Sequence, residues 1–383
     1  MTELDRLRVD QVGSLLRPEA LKAAFERHGR GEASTEVLRE AEDQSIREVV
    51  RHQEAHHLPI VTDGEFRRLN FQDSFAQSVS GFDAQQNSAQ ITERRSAGGE
   101  ALQRWASGTH ESGPAVVNRR PVAERLRLAR NVPLEEYRFV SQLTRTPAKV
   151  TFIGPDRVAQ RFAWEESRAI YPGGLDEFTA DLVAIQRQLV AELVEAGCRY
   201  VHIDAPSYTA YVDEPSLEQM RARGEDPQAN LARSIAADNT IIEGFSGVTF
   251  GIHLCRGNQR SMWHREGSYD SIAEQLFTSL KHQRLLLEYD DERSGSFAPL
   301  RFVRKGATAV LGLITTKTPR EETVDGLRRR LDEAARYLPA DQLAISPQCG
   351  FASDMPGNLL TEADQWRKLD VMIETANAVW GAA

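Results

Sequence analysis

The chain has 383 residues, 40% of them hydrophobic and 27% charged, and a formal net charge of −9 at pH 7. That acidic balance argues against nucleic acid or an anionic membrane as a partner, since both call for a basic surface. Three cysteines are too few for a disulfide framework in so long a chain. The apolar runs, such as AVLGLI at 309–314, are far short of a membrane span, and MTELDRLRVDQ lacks a signal peptide's apolar core, so a cytoplasmic protein with reduced thiols is expected.

From the N-terminus, VDQVGSLL predicts a first strand over 9–14, and STEVLREAEDQSIREVVRHQEA an amphipathic helix with Leu38, Ala41, Ser45 and Val49 in line. LPIVTDGEF predicts a second strand over 59–63. Residues 66–147 are too long for a connecting loop and are rich in arginine (Arg94, Arg95, Arg104, Arg119, Arg120, Arg125, Arg127, Arg130). They read as an insertion on the rim, within one domain spanning 1–383.

From residue 148 strands and helices alternate. AKVTFIG predicts a third strand. The helix after it carries Leu175, Phe178, Leu182, Ile185, Leu189 and Leu193 on one stripe and closes at Gly197. RYVHID is a fourth strand, followed by a helix over about 227–244. VTFGIHL is a fifth, with a helix beginning near Tyr269. RLLLEYD, AVLGLIT and QLAIS are three more, each with a helical segment after it. The last helix opens on a capping pair, Thr361 and Asp364. Eight βα units predict a (β/α)₈ barrel. An open doubly wound sheet is the runner-up, but no GxGxxG turn supports it.

The chemistry concentrates at the strand ends. Residues two apart on a strand face the same side, so His253 and Cys255 in GIHLCRGN point together. Glu288 ends the sixth strand in LLLEYDD, and Cys349 follows the eighth in AISPQCGF. In a barrel these C-terminal ends ring one mouth. A buried histidine or cysteine taken alone is more often a core residue. One imidazole, two thiols and a carboxylate at three strand ends form a zinc ligand set. Cys198, at the opposite end of the barrel, reads as core. His56, His57, His264 and His282 read as surface or packing residues, and Asp290 as a substitute or supporting ligand. A free thiol with a pKa of about 8.5 is only a few per cent thiolate at neutral pH. Zinc deprotonates it outright. A cysteine-rich site therefore suits alkyl transfer to a zinc-bound thiol better than hydroxide generation.

HLCRGN, LEYDDERSG and ISPQCGF resemble the cobalamin-independent methionine synthase family, in its catalytic C-terminal barrel and its short single-barrel relatives. The resemblance runs from DQVGSLLRP to the last helix. It implies zinc held by His253, Cys255, Glu288 and Cys349. It also implies a homocysteine carboxylate on the backbone at Val12, Gly13 and Ser14, and an amino group on Glu65 of TDGEF and Asp204 of HIDAPSY, both candidates for binding and catalysis. Charge chemistry agrees, because a small zwitterion needs carboxylates for its ammonium and N–H groups for its carboxylate. Trp164, after the third strand, is placed to stack a flat donor such as a pterin.

The chain also departs from the family. A single barrel is expected, where full-length members carry a second, N-terminal one. Ala205 stands where the family has a glutamate beside the aspartate, and a folate-contacting glutamate falls near Ala210. The proton-relaying histidine after the seventh strand is replaced by Thr315, Thr316 and Lys317 of LITTKTP. The expected activity is zinc-dependent methyl transfer from a donor such as 5-methyltetrahydrofolate to homocysteine, giving methionine. The alternatives are another thiol or electrophile (the epoxide to coenzyme M type, or a methyl-corrinoid donor) and a non-catalytic barrel that binds zinc or an amino acid. The partners expected are a small thiol and a methyl donor. The sequence does not set the oligomeric state, and a homodimer stays open.

Overall fold

The computed structural model describes residues 2–82 and 121–381. Arg94, Arg95, Arg104, Arg119 and Arg120 therefore lie outside the described residues. An antiparallel pair, β1 (Val79–Phe82) and β2 (Val122–Leu128), precedes a six-stranded parallel sheet in sequential order: β3 (Lys149–Ile153), β4 (Tyr200–Asp204), β5 (Thr249–Leu254), β6 (Arg284–Glu288), β7 (Thr308–Ile314) and β8 (Leu343–Pro347). Every residue of β3–β8 is buried. Parallel strands covered on both faces read as continuous apolar runs in just this way.

Two extended segments close the sheet into a barrel. Val9 pairs in parallel with Ile345 of β8, and Val61 with Ala148 just before β3. The strands expected over 9–14 and 59–63 thus shrink to single bridging residues. Side-chain amides take over the backbone groups that a ladder would use. Gln53 accepts from the Thr62 N–H (3.0 Å) and donates to the Thr62 carbonyl (2.8 Å), and Gln11 donates to the Ile60 carbonyl (3.0 Å). Gly13, with φ 149°, then turns the first segment out of register.

The outer helices follow the predicted stripes. Gly174–Glu195 buries Phe178, Leu182, Ile185, Leu189 and Leu193. Thr35–Ala55 is capped by Ser34, and Glu362–Trp380 by the Thr361–Asp364 box. Residues 132–141, inside the long stretch before β3, form a helix packed on β3 and on Gly174–Glu195. After β6 the expected helix gives way to two 3₁₀ turns, Glu292–Ser294 and Ala298–Phe302. Gly295 at φ 72° and Pro299 break any longer helix there.

The barrel's lower end is plugged by charge. Asp10 accepts from Lys149 (2.8 Å), Arg284 Nε (2.8 Å) and the Tyr200 hydroxyl (2.6 Å), with all four side chains buried. Burial opposes the charged form of Asp10, but Lys149 and Arg284 outweigh it and hold its carboxyl well below the usual range. The upper, C-terminal end is left for the site. Among the described residues no helix is long and apolar enough to cross a membrane.

Candidate metal centre and adjoining pocket

Extended geometry at the end of β5 turns His253 and Cys255 to one side, and the loop after β8 brings Cys349 across to them. The ligating atoms of the three residues lie within 4.8 Å of one another, and all three side chains are buried. Neither ring nitrogen of His253 has a hydrogen-bond partner. The neighbouring Cys349 thiol, with His253 beside it, pulls Cys255 well below the usual thiol range against the effect of burial. Cys349 is pushed well above that range, by Cys255 first and burial second. An imidazole and two thiols, one already disposed to ionise, suit a soft, tetrahedral cation such as zinc.

Glu288, expected as the fourth ligand, stands next to this trio but is not part of the close cluster. Its Oε2 accepts from the Arg256 N–H (2.5 Å), and its Oε1 lies 3.5 Å from Arg293 and 3.7 Å from Lys317. Asp290 lies 3.7 Å from the same Arg293 guanidinium. Both Glu288 Oε1 and Lys317 Nζ are buried without a hydrogen bond.

The amino-acid half of the expected site converges beside the trio. Glu65 sits at φ 60°, a left-handed conformation that costs about 1 kcal/mol or more for a side chain of this kind. Its Oε1 accepts from Thr151 (2.8 Å) and lies 3.4 Å from Arg68, whose guanidinium is otherwise paired with Glu136 (2.6 Å). Its Oε2 has no partner, and neither has Asp204 Oδ1. Burial, with Asp204 nearby, pushes Glu65 up to about 7, and burial pushes Asp204 up to about 6. A Cβ on Gly13 would stand 2.8 Å from Thr151 Cγ2 and 3.4 Å from Glu65 Oε1, and one on Gly350 would strike the Ser14 hydroxyl. The Val12–Ser14 backbone is therefore wedged between Glu65 and the Cys349 loop. The N–H groups of Gly13 and Ser14 meet no acceptor among the described residues.

Sequence reasoning missed His202. It is fully buried and its Nε2 lies 3.3 Å from Asp204 Oδ1, without the alignment of a hydrogen bond. Burial holds it well below the usual range, so it is neutral. The signal was available, because His202 and Asp204 share the same two-residue spacing as His253 and Cys255. Cys198 is buried below β4 with its thiol donating to the Tyr200 carbonyl, and burial pushes it up to about 12. His282 is buried as well. His56, read as a surface or packing residue, stacks on Trp366 and bonds Asp370 (2.6 Å).

Trp164 stands apart from the trio, in the wall of a cavity of about 1010 Å³ that Trp263, Tyr211 and Arg265 also line. Its Nε1 donates to the Tyr171 carbonyl (3.3 Å), and Arg168 covers its ring at 4.3 Å. Of the arginines before β3, Arg125 pairs with Asp181 (2.9 Å) and Glu177, and Arg130 with Glu135 (4.0 Å), so these two are engaged within the chain.

Residues 118–377 match the family model described as cobalamin-independent synthase, catalytic domain. The uncharacterised protein YxjH of Bacillus subtilis is 36% identical over 97% of this chain and 94% of its own. A methionine synthase of Pyrococcus abyssi is 24% identical over 98% and 94%. Among solved structures, a putative vitamin-B12-independent methionine synthase from Listeria monocytogenes superposes with a TM-score of 0.73 at 24% identity, covering 98% of both chains. A B12-independent methionine synthase from Shewanella, solved with selenomethionine, gives 0.70 at 18% identity over 97% of both.

Proposed function

The chain belongs to the cobalamin-independent synthase family, in its catalytic domain, and we propose that this methyltransferase moves a methyl group onto the sulfur of homocysteine to give methionine. The observation that carries the reading is the meeting of a histidine and two cysteines with two carboxylates, each with one oxygen free of hydrogen bonds, in one buried mouth.

Each residue has a part in this reading. Glu65 Oε2 and Asp204 Oδ1 receive the ammonium of the amino acid, and the N–H groups of Gly13 and Ser14 receive its carboxylate. The side chain then runs toward His253, Cys255 and Cys349. These residues would hold zinc, with Glu288 at hand as a fourth, displaceable ligand. When bound, zinc lowers the pKa of an incoming thiol and keeps it ionised at neutral pH. The S–CH₃ bond forms as the bond from methyl to donor breaks, and the departing donor takes up a proton from solvent in place of the one the thiol released on binding. His202, neutral and buried, packs beside the Asp204 carboxylate. Trp164, in the cavity wall, would stack a donor of the methylfolate type.

Two further expectations belong to the same reading. The protein acts in the cytoplasm, and the chain works as one barrel domain with residues 66–147 as a rim insertion. The test is metal analysis followed by titration with homocysteine. About one zinc per chain and about one proton released per site on thiol binding support transfer. A closed metal site that ignores added thiol would point instead to a non-catalytic barrel.

A further inference from the structure

Buried arginines in this fold are as a rule well provided for. Arg68 pairs with Glu136 and Arg284 with Asp10. Arg17 donates to the carbonyls of Ala352, Asp354, Glu65 and Arg68, and Arg256 to those of Gly267 and Glu288. Arg17, Arg284 and Arg293 each leave one buried nitrogen unmet beside several bonds or ion pairs, and two other arginines are met less well. Arg157, on the short helix Pro155–Ala159 after β3, has buried Nε and Nη1 atoms with no hydrogen-bond partner. Arg265, only 7% exposed in the loop after β5, donates from Nη1 to the Pro206 carbonyl (2.8 Å) and leaves its buried Nε unpartnered. Neither forms an ion pair with a described carboxylate. Leaving a buried donor unmet costs about 1–3 kcal/mol, more for a charged group, so such an arrangement points to a missing acceptor.

Position says what the acceptor is for. Arg265 lines the 1010 Å³ cavity, as does Asp156 next to Arg157, and Trp164 and Trp263 give the same cavity aromatic walls. Burial lowers both guanidiniums, Arg157 to about 9, and the charge of Arg265 lowers Arg157 further, as a like charge held nearby does. Cys255 acts on both in the opposite sense, so the pair also lies within electrostatic reach of the soft-ligand trio.

We propose that Arg157 and Arg265 form an oxyanion subsite in the donor cavity, and that the co-substrate delivering its alkyl group beside Cys255 carries a carboxylate, sulfonate or phosphate for these guanidiniums to bind. This rests on the transfer reading above and narrows the donor to an anionic molecule with a flat or apolar body. The matching of planar guanidinium to oxyanion supplies the selectivity.

The test uses the full-length, metal-loaded protein and needs no turnover. Tryptophan fluorescence, with Trp164 and Trp263 in the cavity wall, is followed during titration with glutarate, methanesulfonate or inorganic phosphate at constant ionic strength. Saturable binding of at least one anion is expected, and the one bound most tightly identifies the group on the donor. Arg157→Gln and Arg265→Gln should each weaken it by roughly tenfold or more, and exposed Arg301→Gln should not. Arg157 makes no hydrogen bond to lose, so Arg157→Gln should melt at or above the wild-type temperature, and Arg265→Lys guards against a folding defect at the other position. No saturable response to any of the three anions, or equal affinity in wild type and both glutamine variants, would overturn the proposal. Metal content and homocysteine binding are measured on the same samples. A wild-type protein that binds the anion but neither metal nor thiol would sink the transfer reading and leave the subsite standing.

Discussion

Glu65→Gln gives the sharpest test of how the amino acid is held. The substitution keeps the side chain's shape and removes its charge. Arg68 retains its pairing with Glu136 (2.6 Å), and Thr151 still has an oxygen to donate to, so the fold should lose little. The ammonium loses one charge-assisted hydrogen bond at Oε2, worth about 1.5–3 kcal/mol, or roughly a 10- to 150-fold weaker Kd. The pH dependence is equally specific. Burial, with Asp204 beside it, pushes Glu65 up to about 7, so in the free protein it is half protonated at neutrality, and an ammonium must displace that proton. Wild-type affinity should therefore rise between about pH 6 and pH 8, whereas the glutamine variant should stay flat through the upper half of that window. A carboxyl raised in the folded state also favours the fold only while protonated, so its stabilising contribution is lost as pH rises from about 4.5 through 7. The ligand-free variant should accordingly gain on wild type at pH 8. The assay is calorimetric titration with methionine, which carries the ammonium and carboxylate but no thiol to titrate. Affinity for methionine within twofold of wild type at pH 8, or a wild-type affinity independent of pH, would refute the reasoning.

At the metal centre, Cys349→Ser should remove most of the zinc and all transfer activity while leaving the circular dichroism unchanged, because the residue sits in a loop above the core; full metal retention in both Cys255→Ser and Cys349→Ser contradicts the site. At the barrel floor, Asp10→Asn leaves Lys149 and Arg284 buried against each other without their counter-charge, and urea unfolding should show a loss of about 3–5 kcal/mol. Asp238 is buried, accepts from the Tyr208 hydroxyl (2.6 Å) and is pushed up to about 8 by burial. Its stabilising contribution is lost as pH rises from about 4 through 8, so Asp238→Asn should narrow the drop in melting temperature between pH 6 and pH 9, and an unchanged drop would count against it.

Much of this was legible in the chain because alternation is a strong signal in buried parallel strands. GIHLC placed His253 and Cys255 on one side of β5, and the βα rhythm carried Glu288 and Cys349 to the same end. The same alternation in VHID also marks His202, but a histidine with an aspartate two residues on has no ligand-like partner to draw notice. Arg157 and Arg265 left no trace of that kind. They lie on a five-residue helix and in a loop, where no period relates a side chain to a direction, and an arginine in a loop is ordinarily solvated. The first two staves were overcalled for a different reason. Their residues have strand composition, but Gln11, Gln53 and Thr62 take the hydrogen bonds, and an amide that substitutes for a ladder cannot be told from an ordinary polar residue by spacing.

The pairing of Val9 with Ile345 has a kinetic side. The first stave emerges from the ribosome hundreds of residues before the strand it must join, and Asp10 waits as long for Arg284. Until β8 is made, the seam between the two ends of the sheet stays open, and closing it is a long-range step of the slow kind. Cys349 arrives only two residues after β8 ends, and Ser14, on the early side of the seam, packs against its neighbour Gly350. Closure of the barrel and completion of the thiol pair are therefore one event, and on the proposed reading a metal would find its full ligand set only once the seam has closed.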